Sequence, residues 1–457
     1  MAVLKALAAK SYETPTPIQL KAIPPVLAGR DLLGIAQTGT GKTCAFATPI
    51  LDRLTLHARR ANPRTCRALV LSPTRELASQ IEESFRTYGR FLKLTSTVVF
   101  GGVPINRQIR QAQNGVDVVV ATPGRLLDLI NQRALSLAEL EIFVLDEADQ
   151  MLDMGFIHDI RKIVAMLPKA RQSLFFSATM PREMADIAGK ILRDPAHVAV
   201  TPAATTVDKV EQKVIFCDTR SKQALLHKLL EDNSISRALV FSRTKHGANR
   251  IVQHLDAAGI PADAIHGNKS QPQRERALAA FREGQSRLLV ATDIAARGID
   301  VDGVTHVINF DLPNVPESYV HRIGRTARAG ADGIAISFCD REERAYLRDI
   351  ERLTRQRVHV LDMGLAGDLP PLPKPAPARP DARPNHHGKP RNGHGRNGQA
   401  QHGKPRDFRD GGRPGNAPRE ANGAGSGKRP FQQKRRKFEG PVSYGAPAHR
   451  GGQRAPH

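Results

Sequence analysis

Ala36-Gln37-Thr38-Gly39-Thr40-Gly41-Lys42-Thr43 carries the clearest chemistry in the chain. It follows a short apolar run, Leu32–Ile35, and precedes a helical pattern opening at Cys44. A strand that stops, a loop of small residues and a helix that starts leave unpaired N–H groups at the positive end of the helix dipole, which is an anion site. Gly39 and Gly41 let the backbone wrap phosphate oxygens with no Cβ in the way. Lys42 would reach the terminal phosphates, and the Thr43 hydroxyl would coordinate Mg²⁺. The usual pattern opens with glycine, where this chain has Ala36. An ordinary glycine-rich turn would not need Lys-Thr at its end, so the stretch predicts a nucleoside triphosphate site.

Asp146-Glu147-Ala148-Asp149 follows a second apolar run, Ile142–Leu145. A carboxylate at the end of a buried strand beside a phosphate loop is well placed to hold Mg²⁺. Asp146 takes that role here, and Glu147 is positioned to polarise an attacking water. Alone, the four residues would equally suit a solvated helix start; the preceding strand and the Lys42 loop favour the catalytic reading.

The elements that must hold these residues read as a parallel sheet. Ala68–Leu71, Val118–Val120 and Leu174–Phe176 join the two runs above as apolar segments without polar alternation, as strands covered on both faces do. Helical patterns at Glu76–Leu92 and Gly155–Leu167 supply crossovers, giving a doubly wound α/β domain. Apolar order weakens near Thr201–Val207 and then resumes. Strands at Val214–Phe216, Ala238–Phe241, Leu288–Ala291 and Val307–Phe310, with helices at Lys222–Leu230, Gly247–Ala258 and Gln273–Arg282, form a second α/β domain with no lysine loop of its own.

The 457-residue chain carries a formal net charge of +23, which points to a polyanionic partner. From Leu369 onward there are nineteen Lys and Arg against five Asp and Glu, so this segment holds +14. It is rich in Pro, Gly, Asn, Gln and His, with little to bury, and is expected to be disordered. Its isolated Phe408, Phe431, Phe438 and Tyr444 among basic residues suit sequence-tolerant RNA binding; the plainer alternative is a solubilising tail. No apolar run approaches the roughly 20 residues of a membrane span, and no signal peptide is evident. The four scattered cysteines suggest reduced thiols, hence a cytoplasmic protein.

The order of motifs resembles the DEAD-box RNA helicases, with the bacterial RhlE-like subgroup the nearest. The resemblance spans roughly Ser11 to Thr354. It is carried by Pro15–Gln19, Ala36–Thr43, Pro73–Ala78, Gly101-Gly102, Thr122–Arg125, Asp146–Asp149, Ser177–Thr179, Val240–Arg243, Gln273–Arg276, Ala291–Asp293, Ala296–Asp300 and His321–Arg328. It implies two RecA-like domains with ATP and RNA bound across their cleft. The expected divisions are an ATP-binding domain at 1–203, a linker at 204–209, a helicase C-terminal domain at 210–362 and a basic tail at 363–457. By resemblance, Gln19 reads adenine, Asp300 contacts the ribose, and Arg325 and Arg328 bring charge to the γ-phosphate. RNA contacts fall on Arg75, Gly102, Thr122, Arg125, Arg243, Arg276, Thr292 and Arg297. Ser177, Thr179 and His321 couple the two ligands. The implied activity is RNA-stimulated hydrolysis of ATP with Mg²⁺, joined to local strand separation or RNA–protein remodelling, with ribosomal or RNA-decay proteins as partners.

The family usually carries an adenine-stacking aromatic residue well upstream of the Pro-Thr-Pro-Ile-Gln segment. This chain begins too late to include it, and Ser11 stands where glycine is common. Either the reading frame opens further upstream or adenine is held less tightly. A DNA-directed motor and a non-enzymatic RNA chaperone are the competing classes. Gln19 with Asp146–Asp149 argues against the first, and a Glu147→Gln variant that still separates strands would favour the second.

Overall fold

The computed structural model describes residues 2–362, apart from 38, 58, 201–209, 300, 302 and 328–331. The first sheet comprises β1 Leu32–Ile35, β2 Cys66–Leu71, β3 Ser96–Val99, β4 Val116–Ala121, β5 Ile142–Leu145, β6 Gln172–Ser177 and β7 Ala196–Ala199. They pair in the order β3-β4-β2-β5-β6-β1-β7, every pair parallel. Every residue of β2, β4, β5 and β6 is buried, as apolar runs with helices on both faces require.

Side-chain alternation divides the core between the two faces. Val70, Val120, Val144 and Phe176 share one apolar cluster, while Leu69, Val119, Phe143 and Phe175 share the other. Polar side chains are buried there too, Arg67 the largest of them. Arg67 in β2 is fully buried; its Nε donates to Glu141 Oε1 at 2.7 Å and its guanidinium nitrogens to the carbonyls of Leu54, His57 and Arg59. These carbonyls lie at and beyond the end of the helix Lys42–Leu56, so the cation also closes that helix terminus.

The second sheet repeats the plan. Its strands are β8 Val210–Phe216, β9 Ala238–Phe241, β10 Ala262–Ile265, β11 Leu288–Ala291, β12 His306–Asn309, β13 Gly333–Cys339 and β14 His359–Val360. The order β10-β11-β9-β12-β13-β8-β14 is that of the first sheet, strand for strand. The doubly wound expectation holds for both lobes. Sequence reading passes over β3 and β10, edge strands that are partly exposed, and over β13, whose apolar run is broken by Gly333, Ala335 and Ser337. The helix expected at Glu76–Leu92 ends at Tyr88, because Gly89 stops it. Among the described residues, no helix is long and apolar enough to cross a membrane.

Candidate active site

Strand order places the chemistry. β6 lies between β1 and β5, so the loops after β1 and β5 flank the C-terminal end of β6. The helix Lys42–Leu56 opens directly after Gly41, which sits at φ 93° and offers no side-chain cap, leaving the first-turn N–H groups facing outward. A Cβ on Gly41 would meet Gln19 Nε2 at 2.6 Å, so the loop and Gln19 approach as closely as they do only with glycine there. Lys42 is buried and its Nζ donates to Ala36 O at 3.0 Å; Thr40 Oγ1 donates to Gln37 O at 2.8 Å. Gln19 accepts from Thr16 N–H at 2.9 Å and donates to Gly41 O at 3.3 Å. Its amide keeps one further donor and one further acceptor side by side.

The acidic segment is as buried as the loop. Asp146 accepts the N–H of Glu147 at 3.0 Å, and burial raises its pKa against the opposing pull of Lys42. Glu147 adopts φ 53°, ψ 50°, a left-handed conformation rare for a side chain of this kind. Burial pushes its carboxyl up to about 7, with Lys42 and Arg325 opposing the shift and Asp146 adding to it. Asp149 ties this loop to β6: it accepts Thr179 N–H at 2.9 Å and Thr179 Oγ1 at 3.1 Å, while its own N–H donates to Ser177 Oγ at 3.2 Å.

The second lobe closes the cavity. A space of about 600 Å³ is lined by Thr16, Gln19, Gly39, Gly41, Lys42, Thr43, Asp146 and Glu147 from the first lobe and by Gly298 and Arg325 from the second. Arg325 is held by the carbonyls of Ile299, at 2.9 Å, and His321, at 3.3 Å. Burial lowers the pKa of His321, which keeps the ring neutral, and Nδ1 has no partner. Glu147 Oε2 and Asp149 Oδ1 are likewise buried without partners. A cavity with a lysine, uncapped helix N–H groups, an arginine, a threonine hydroxyl and unpaired carboxylate oxygens fits a triphosphate with a divalent cation. Thr43 and Asp146 both line the cavity, and a hydroxyl and a carboxylate are the oxygen donors such a cation takes. Thr38, Asp300 and Arg328 lie outside the described residues, as do the linker at 204–209 and the tail at 363–457.

The residues assigned to RNA by resemblance separate into groups. Arg75 lies over Gly102, where any Cβ would collide with its guanidinium. Thr122 caps the helix Pro123–Asn131, and Arg125 Nη1 donates to Val103 O and Gln108 Oε1 at 3.1 and 3.0 Å. Thr292 and Arg297 bracket the helix Asp293–Ala296 after β11. Arg297 joins the lobes directly: its Nη2 pairs with Asp153 at 3.1 Å and its carbonyl accepts Thr74 Oγ1 at 3.3 Å. Arg243 is engaged within its own lobe, by Glu343, by Leu312 O and over the ring of Tyr346. Arg276 is exposed and bonded to Pro272 O of its own helix.

Sequence reasoning misses Arg274, whose Nε donates to Glu76 Oε1 at 2.7 Å across the lobes, both side chains buried. The helical spacing Arg274, Ala277, Leu278, Phe281 marks the buried face and would have found it. It also misses Gly298, at φ 74°, where a Cβ would sit 2.6 Å from Leu77 Cβ and from Thr74 Oγ1, and Tyr12 and Ser84, which line the cavity. Ser11, where the resemblance expects glycine, has φ 56°.

Two parallel-sheet lobes with a phosphate loop on one and an arginine from the other define a two-lobed P-loop nucleotide-binding protein. Residues 16–187 match the DEAD/DEAH box helicase family, and residues 221–330 match the helicase conserved C-terminal domain. The chain belongs to the DEAD/DEAH box helicases. It is 43% identical over 360 residues to the DEAD-box ATP-dependent RNA helicase CshA of Bacillus cereus, covering 79% of this chain and 68% of that one. It is 46% identical over 355 residues to the RNA helicase CrhR of Synechocystis sp., covering 78% and 71%. Among solved structures, S. cerevisiae Dbp5 bound to RNA and ADP BeF3 superposes with a TM-score of 0.70 at 33% identity, covering 79% of this chain and 93% of that one.

Proposed function

We propose that this protein is an ATP-dependent RNA helicase whose ATP hydrolysis is completed only when its two lobes close on RNA. The observation that carries this is the presence of Arg325 from the second lobe in the cavity that holds Lys42 and Glu147. Neither lobe alone contains both the base and the arginine, so closure assembles the site. Mg²⁺, when bound, supplies charge to the phosphate oxygens. The loop N–H groups and Lys42 bind the phosphates, Asp146 and Thr43 orient the cation, and Glu147 accepts a proton from the attacking water. Arg325, with Arg328, stabilises charge on the transferring group. Gln19 presents its remaining donor and acceptor to adenine, which favours ATP over other triphosphates. Asp300 is assigned to the ribose.

Arg75, Gly102, Thr122, Arg125, Arg243, Arg276, Thr292 and Arg297 are proposed RNA contacts, and Ser177, Thr179 and His321 the coupling residues. The hydrogen bonds joining Asp149 with Ser177 and Thr179 support that link, since motion of one loop pulls the other. We assign the chain's divisions as 1–203, 204–209, 210–362 and 363–457, the last an accessory RNA tether. The cytoplasm is the proposed location, and ribosomal or RNA-decay proteins the proposed partners. The test is ATP hydrolysis by the purified chain with and without single-stranded RNA. RNA should stimulate turnover strongly; stimulation by DNA alone, or by neither, would overturn the reading.

A further inference from the structure

The helix Arg344–Thr354 is the last in the described chain, and its arginines recur at every fourth position: Arg344, Arg348 and Arg352. Four residues advance a helix by 400°, so the three side chains fall within roughly 80° on one face. The opposite face buries Leu347 and Ile350 against Tyr319 and Val358. Arg341, Arg355 and Arg357, also exposed, extend the stripe at both ends. Nearby carboxylates offset part of it. Glu343 is buried and spent on Lys222 and Arg243, and Glu351 accepts Val358 N–H at 3.1 Å. Asp349 pairs with Arg352 at 3.0 Å but is solvated; Glu342 is exposed.

The stripe also has an aromatic head. The guanidinium of Arg344 sits 5.3 Å from the ring centroid of Phe216, which is 44% exposed at the end of β8. Glu343, immediately before the helix, bonds Arg243 after β9. That is the same sheet edge from which Thr292 and Arg297 project after β11. The stripe therefore begins at the edge assigned to RNA and runs about 12 Å away from it. A line of exposed arginines headed by an arginine-stacked aromatic suits a polynucleotide backbone with a base at one end better than an acidic peptide, which has no use for the exposed ring.

We propose that Arg344, Arg348 and Arg352, with Phe216, form a second RNA contact that takes the phosphate backbone of the strand leaving the cleft. The proposal rests on the RNA-helicase reading above. The contact lengthens the footprint without reading sequence, because phosphate contacts carry none.

The test uses the full chain and two single-stranded RNAs, one of about ten nucleotides that fills the cleft and one of about thirty, with binding followed by fluorescence anisotropy from low to high salt. R344A/R348A/R352A should weaken the long RNA about tenfold at low salt and lower the slope of log K against log salt by about 2, near 0.7 for each lost charge. The short RNA's affinity and its stimulation of ATP hydrolysis should not change. R344K/R348K/R352K should keep the wild-type slope. An unchanged slope for the long RNA in the alanine variant overturns the proposal, as does a lysine variant that behaves like the alanine one. An alanine variant that instead loses binding to a polyglutamate peptide, with RNA unaffected, reassigns the face to acidic protein. Failure of RNA to stimulate hydrolysis in the wild-type chain would count against the function, not the stripe.

Discussion

Glu147 concentrates the residue-scale chemistry. It occupies a left-handed backbone conformation held by the Asp146 carboxylate, in a cavity that disfavours its charge. A carboxyl raised to about 7 is a better proton acceptor near neutral pH than an ordinary glutamate. Glu147→Gln keeps the shape and removes the base. Hydrolysis should fall at least about 10²-fold while ATP and RNA still bind, as measured by single-turnover kinetics beside fluorescent-nucleotide titration. Loss of nucleotide binding in step with turnover would mean the side chain holds ligand and does not take the proton. The neighbouring roles of Lys42 and Asp146 were legible in sequence because loop and strand type are local signals. The direction of each guanidinium was not. Arg274 and Arg276 are two positions apart on one helix, so one meets Glu76 and the other meets solvent.

At the scale of elements, the lobes are joined by the helix Arg75–Tyr88 of the first lobe and the helix Gln271–Arg282 of the second, through Glu76 and Arg274. A buried ion pair of this kind is costly to break from one side, because the partner is left charged and dry. Glu76→Ala and Arg274→Ala should each lower RNA-stimulated turnover about tenfold or more. A double-mutant cycle should give a coupling energy of about 1–3 kcal/mol, with little change in ATP binding without RNA. Additive effects would remove the pair from the closing contact. Arg67 is the corresponding structural case within one lobe. Arg67→Ala leaves three carbonyls without their donor and Glu141 with Arg59 alone, and should cost about 3 kcal/mol by urea unfolding. A loss within about 0.5 kcal/mol, the range of an ordinary surface change, would show that water replaces it.

At the scale of the molecule, two lobes of one strand order meet at a shared cavity, faced on the first lobe by the loops after β1 and β5 and on the second by Gly298 and Arg325, which precede β12 and β13. The segment proposed as an accessory RNA tether follows residue 362 and is strongly basic. Truncation there should weaken RNA binding and flatten its salt dependence, since fewer counterions are released, while hydrolysis without RNA persists. Anisotropy across a salt series beside a steady-state ATPase assay checks both halves. Basal hydrolysis that vanished with the segment would give it a part in the core reaction.

The amino-acid order alone determined the parallel sheets, the glycine-rich loop with its lysine and the acidic segment after β5. Each of these rests on neighbours within a few residues, where apolar runs, glycines and a lysine state their geometry directly. The meeting of Arg325 and Glu147 in one cavity, and the pairing of Arg274 with Glu76, were decided only by tertiary structure. These partners lie far apart in sequence, and which face of a helix turns toward the other lobe depends on how both cores bury their apolar sides.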